Sequence, residues 1–182
     1  MKELSLNILD ITENSVKAGA TLTEITIRES ETKLTITIKD DGCGMSREMV
    51  EAVKDPFCTT RTTRSVGLGI PLFILSAEQT GGFVEIASKQ ADEKDPTHGT
   101  TITAHYNKDH IDFTPLGDVI STVTTLIQGH PDRDFLFVHT KGEGEVRLDT
   151  RELREILIDV PLDSFEVLQW ISENLKEQYN EI

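Results

Sequence analysis

Cysteine is scarce in this 182-residue chain: Cys43 and Cys58 stand alone, with neither a C-x-x-C pair nor zinc-ligand spacing. That excludes a disulfide framework and a thiolate zinc site, and both residues read as reduced thiols filling small apolar gaps. A chain of this length buries roughly two-thirds of its unfolded surface and needs no such staple. No run of 18 apolar residues occurs, and Lys2 and Glu3 lead directly into a helical pattern. Neither a membrane span nor a signal peptide is therefore expected, and the expected setting is the cytoplasm. Basic residues are also in deficit, 18 against 32 acidic, for a net charge of −14. The excess is −5 over residues 1–107 and −9 over 108–182. Phosphate-backbone binding needs clustered Lys and Arg, so nucleic acid is excluded as a partner.

What is present is regular periodicity. From Leu4 through Ile8 and Ile11 to Ser15–Ala18, one face of a first helix is apolar or small. A second line on that helix, Asp10, Asn14 and Lys17, sets a carboxylate, an amide and an ammonium at i, i+4 and i+7. "TEITIRESETKLTITIKDDG" then alternates as a half-buried antiparallel hairpin turning at Ser30–Thr32. "SREMVEAVKD" predicts a short helix capped by Ser46. "GIPLFILSAEQTGG" predicts a more apolar helix, with Pro71 in its first turn and Gly81 past its end. Strands "FVEIAS" and "TTITAHY" follow.

This order predicts an α+β protein, a two-layer sandwich whose mixed, mostly antiparallel sheet carries helices on one face. A boundary is expected near Asn107–Pro115. Beyond it, a small α/β appendage over 108–182 is predicted from helical "LGDVISTVTTLIQ", strands "DFLFVHT" and "EVRLDT", and helices "RELREILI" and "SFEVLQWISENLKEQYNEI", the last opened by Asp163 or Ser164. His110, His130 and His139 lie there without metal-ligand spacing.

Two glycine motifs carry the chemistry. "DDGCGM" leaves the second hairpin strand: Asp40 ends the strand, and Gly42 and Gly44 let the backbone turn and approach a flat ligand. "TTRSVGLGI" opens the apolar helix, where exposed N–H groups and the positive end of the helix dipole suit phosphate. Neither is a Walker loop, since no G-K-[ST] occurs.

Together, a helix bearing Asp10 and Asn14, D-x-G-x-G off a strand, G-L-G into a helix and Gly99-Thr100 off a loop resemble the GHKL ATPases of Bergerat fold, which include gyrase, the large heat-shock chaperone, histidine kinases and MutL. "ENSVKAGA" is similar to the MutL asparagine box, and "DPFCTTRTTRSVGLGIPLFILSAEQTGGFVEIAS" with "HGTTITAHY" is similar to a histidine-kinase catalytic domain. The resemblance covers about residues 4–106. It implies ATP and Mg²⁺ as cofactors, with Asn14 on the metal, Asp10 as the water-activating base and Lys17 near the phosphates. Asp40 would accept the adenine amino group, with Gly42 turning the loop, Gly44 and Met45 flooring the base and Thr100 beside it. Phe57, Thr60 and Arg61 would belong to a short lid, and Gly67, Leu68 and Gly69 would cradle the phosphates.

Two features depart from the family pattern. The family's usual base is glutamate, and here Asp10 is shorter. The Phe57–Gly67 loop is also too brief for the long lid of gyrase or MutL. No phospho-accepting helical segment precedes the motif, so self-contained two-component signalling is not expected. The expected function is slow ATP hydrolysis or phosphate transfer to a protein partner met through 108–182. A nucleotide-sensing adaptor and an anti-sigma-like serine kinase are the alternatives, and a homodimer is left open.

Overall fold

The computed structural model describes residues 3–54, 68–92 and 97–182. The chain runs α1 (Leu4–Lys17), β1 (Leu22–Glu29), β2 (Lys33–Asp40), α2 (Arg47–Lys54), α3 (Gly69–Glu78), β3 (Phe83–Lys89), β4 (Gly99–Asn107), α4 (Val119–Gly129), β5 (Asp134–Lys141), β6 (Gly144–Asp149), α5 (Thr150–Leu157) and α6 (Phe165–Tyr179). Among the described residues, one six-stranded sheet of order β3-β4-β2-β1-β5-β6 holds every strand. All neighbours are antiparallel except β1 and β5, which run parallel with Ile25 opposite Phe137. The result is the mixed, mostly antiparallel α+β sandwich of Bergerat type that the sequence implies.

Strict alternation decides which sheet face is buried. Ile25 and Ile27, Leu34, Ile36 and Ile38, Ile102, Ala104 and Tyr106, and Phe135 and Phe137 all point inward and are buried. Each Ile or Leu so buried stabilises the fold by about 1.5–3 kcal/mol. The opposite face carries Thr35, Thr37, Thr103 and His105, which bond in cross-strand pairs, Thr35 with His105 and Thr37 with Thr103.

Helices α3, α1, α4 and α6 touch one another in that order across the buried face. The amino end of α1 is held by distant backbone: Leu4 N–H donates to the Pro115 carbonyl and Ser5 N–H to that of Leu116. Two orphan donors of the helix start are thereby satisfied from beyond residue 107. Residues 108–182 thus extend the same sheet and the same helix layer.

The cap at Ser46 forms, its hydroxyl accepting the Met49 N–H at 3.3 Å. α6 begins after Ser164, whose side chain makes no cap bond. The expectation that Cys43 fills an apolar gap fails: its thiol is exposed, because the glycine loop it stands in turns outward from the end of β2.

Candidate functional site

At the end of the sheet where β2 finishes, Asp40 stands opposite Thr100 of β4, which stands opposite Ser88 of β3. Both oxygens of the Asp40 carboxylate accept hydrogen bonds, and Oδ2, with one donor, keeps acceptor capacity. Its Oδ2 accepts the Ser15 hydroxyl of α1 at 2.7 Å. Its Oδ1 accepts the Gly42 N–H at 2.9 Å and the Thr100 N–H at 3.2 Å. Charge-assisted bonds of this kind hold a carboxylate in one orientation.

The loop that follows is pinned at several points. Cys43 N–H donates to the Ala18 carbonyl at 2.9 Å, and the Cys43 carbonyl accepts the Ala91 N–H at 2.8 Å. Met45 N–H donates to the Ser88 hydroxyl at 2.8 Å, and that hydroxyl lies 2.8 Å from the Thr100 hydroxyl. Gly44 has φ of +67°, and a Cβ there would fall 1.9 Å from the Lys89 carbonyl oxygen. Only glycine fits that approach. Asp41 turns the other way and accepts the Thr21 and Leu22 N–H groups and the Thr21 hydroxyl. Burial pushes its carboxyl up, but these bonds outweigh burial and the net direction is down.

The second half of the site lies between α1 and α3. Gly69 opens α3, and a Cβ added there would come 3.2 Å from Asp10 Cβ and 3.6 Å from Asn14 Nδ2. Leu68 before it offers no side-chain acceptor, so the α3 amino end is uncapped by its own N-cap residue. Pro71 sits in the first turn, where its missing N–H costs nothing. The structure thus sets the Asp10 Cβ and the Asn14 amide against the start of a helix whose dipole favours anions.

The two halves meet through α1: Ser15, next to Asn14, is the residue bonded to Asp40. Asp10, Asn14 and Gly69 are therefore brought together, as are Asp40, Gly42, Gly44, Met45 and Thr100. Lys17 is exposed in the last turn of α1, where its charge complements the helix dipole. Leu68 is exposed. Phe57, Cys58, Thr60, Arg61 and Gly67 lie outside the described residues.

Sequence reasoning missed Ser15, Ser88 and His98, whose Nδ1 lies 2.6 Å from the Gly42 carbonyl oxygen. Ser15 left a faint signal as a hydroxyl on the buried face of α1. Ser88 left none, because its role follows from strand register alone.

The family described as "Histidine kinase-, DNA gyrase B-, and HSP90-like ATPase" matches residues 2–110. Over 105 residues, 57% of the chain, the sequence is 31% identical to the signal transduction histidine-protein kinase AtoS of Escherichia coli, of which it covers 16%. Among solved structures, the Aquifex aeolicus MutL ATPase domain complexed with ADP superposes with a TM-score of 0.55 at 16% identity, covering 87% of this chain and 70% of that one. The topoisomerase IV ATP-binding domain of Francisella tularensis gives 0.53 at 17%, covering 81% and 87%. These likenesses show the fold, and at 87% and 81% of the chain their coverage extends past residue 110, where the family match ends.

Proposed function

Because this chain belongs to the histidine kinase-, DNA gyrase B- and HSP90-like ATPase family, we propose that it binds ATP with Mg²⁺ between α1, α3 and the 40–46 loop, and hydrolyses it slowly or passes its terminal phosphate to a protein partner. The observation that carries this reading is the close approach of Gly69 to both Asp10 and Asn14. It supports the reading because a helix start, the Asp10 side chain and the Asn14 amide then flank one space, where a triphosphate would bind.

The residues suit the groups. Asn14 offers a hard amide oxygen, and Mg²⁺ prefers oxygen ligands, taking few from the protein and the rest from substrate phosphates and water. The ion would supply charge neutralisation on the phosphates. Asp10 would orient or deprotonate the attacking water, and Asp40, already aimed by three donors, would accept the adenine amino group. Phe57, Thr60, Arg61, Gly67, Leu68 and Lys17 complete the proposed contacts.

We assign residues 1–107 to the nucleotide and propose 108–182, joined to them by one sheet, as the surface that meets a protein partner in cytoplasmic signalling. A specific contact favours a sensing role beside catalysis: His130, at the carboxy end of α4, lies 2.8 Å from Glu13, the neighbour of Asn14. A partner gripping α4 would act on the helix that holds the metal ligand. Incubation with γ-labelled ATP and Mg²⁺, with free phosphate and protein-bound label measured separately, tests the reading. Free phosphate supports hydrolysis, and bound label supports transfer. ATP binding with neither favours sensing, and no ATP binding overturns the proposal.

A further inference from the structure

At Gly42 the loop that follows Asp40 has no side chain of its own to anchor it. A Cβ on Gly42 would lie 3.0 Å from Ala18 Cβ and 3.0 Å from Asp40 Oδ1, so the position stays glycine and keeps glycine's freedom to rotate. Yet Gly42 N–H is one of the donors that aims Asp40. Rotation of residue 42 would swing that N–H away from the carboxylate.

His98 stops it. Its Nδ1 lies 2.6 Å from the Gly42 carbonyl oxygen. A carbonyl only accepts, so Nδ1 carries the hydrogen and donates. The other half of the same peptide is fixed as well, since Cys43 N–H donates to the Ala18 carbonyl. His98 is also two residues before Thr100, whose N–H reaches the same Asp40 oxygen as Gly42. The 98–100 segment therefore holds the base loop through a ring on one side and holds the carboxylate through a backbone amide on the other.

We propose that His98 is a positioning residue for base recognition: by donating Nδ1–H to the Gly42 carbonyl it locks the 42–43 peptide and sets the aim of Asp40. The proposal rests on the nucleotide-binding reading above. His98 acts through Gly42, so it tunes recognition of the base and leaves the triphosphate contacts at Asn14 and Gly69 alone. Asparagine, which can place an amide N–H near the position of Nδ1, should serve in its place.

The test uses the full chain with Mg²⁺ and calorimetric titration of a non-hydrolysable ATP analogue and, separately, of inorganic tripolyphosphate. His98→Ala is expected to weaken analogue binding about 2- to 10-fold, the net worth of a neutral hydrogen bond, with tripolyphosphate binding unchanged. His98→Asn should restore the affinity to within about twofold. Long-range ¹⁵N–¹H spectra of the wild type should show His98 protonated at Nδ1. Unchanged analogue affinity in His98→Ala, an equal loss for tripolyphosphate, failure of asparagine to restore binding, or an unprotonated Nδ1 each overturns the proposal. Should the wild type bind no ATP analogue at all, the nucleotide-binding reading fails and the proposal with it, whereas binding that ignores His98 overturns the proposal alone.

Discussion

Gly69 at the start of α3 faces Asp10 on α1 so closely that a methyl group on it would sit 3.2 Å from the Asp10 Cβ. Both atoms ride on helical backbone, so relief requires one helix to move by a few tenths of an ångström. Alanine is favoured over glycine in a helix by up to about 1 kcal/mol, which offsets the strain on stability but not on the site. Gly69→Ala is expected to keep its melting temperature within a few degrees and to bind Mg²⁺-ATP about 3- to 10-fold more weakly, and Gly69→Val to bind it more weakly still. Calorimetry beside thermal melts would show this, and full affinity in Gly69→Val would refute it.

Asp10 and Asn14 should fail differently when replaced. A general base must come within about 2.6–3.2 Å of its water, directly or through one more water. Aspartate is shorter than glutamate by one C–C bond, about 1.5 Å. Misplacement near 1 Å costs on the order of 100-fold in rate. Intrinsic hydrolysis should therefore be slow, and Asp10→Glu should raise it. Asp10→Asn should bind ATP normally and lose turnover, whereas Asn14→Ala should lose Mg²⁺-dependent binding. Wild-type turnover in Asp10→Asn would remove the base from the scheme and leave the sensing role.

Asp40 should confer adenine specificity. Its carboxylate only accepts, which suits an amino group and repels the guanine carbonyl. Replacing it by Asn removes a charge-assisted acceptor worth about 1.5–3 kcal/mol, roughly 10- to 150-fold in affinity. Equal affinity for ATP and GTP in the wild type would contradict the assignment.

His139 gives the fold a pH dependence. It occupies an inward strand position beside Phe135 and Phe137, is 2% exposed, and lies 2.8 Å from the Tyr179 hydroxyl of α6. Burial pushes its imidazole below the ordinary value, more than neighbouring Glu29 pulls it up. The unfolded chain, titrating near 6.5, then takes up the proton first. Stability from this residue is complete above about pH 6.5 and falls as pH drops toward the folded value. The melting temperature should decline from pH 7 to 5, and His139→Gln, which does not titrate, should flatten that slope. An unchanged slope in the variant would assign the effect to other groups.

A chain ending at Asn107 should not keep the wild-type fold. It would lose the whole β1–β5 pairing, the Phe135 and Phe137 cover, and the acceptors of the first α1 N–H groups. At about 1.5–3 kcal/mol per large apolar side chain, these losses rival a total stability of about 5–15 kcal/mol. Aggregation or a broad, low melt is expected. A soluble chain with full ATP affinity would instead make residues 108–182 a separable unit.

The sequence by itself determined the elements and the residues from which the proposed site is drawn. Alternating isoleucines in "TEITIRESETKLTITIKDDG" leave one strand face to bury, and the 3.6-residue period of Leu4, Ile8 and Ile11 leaves one helix face, because local periodicity is all that amphipathic elements need. The motifs around Asp10–Asn14, Asp40–Gly44 and Gly67–Gly69 were legible for the same reason, since turns, caps and close approaches are written within a few residues. Tertiary structure alone decided what joins across distance. Ser15 reaches Asp40 from 25 positions away, and Ser88, Thr100 and Asp40 align only once β3, β4 and β2 pair in register. The same holds for the union of 108–182 with the first sheet. β5 lies parallel to β1, and parallel neighbours are joined by long crossovers whose pairing leaves no mark in the local pattern.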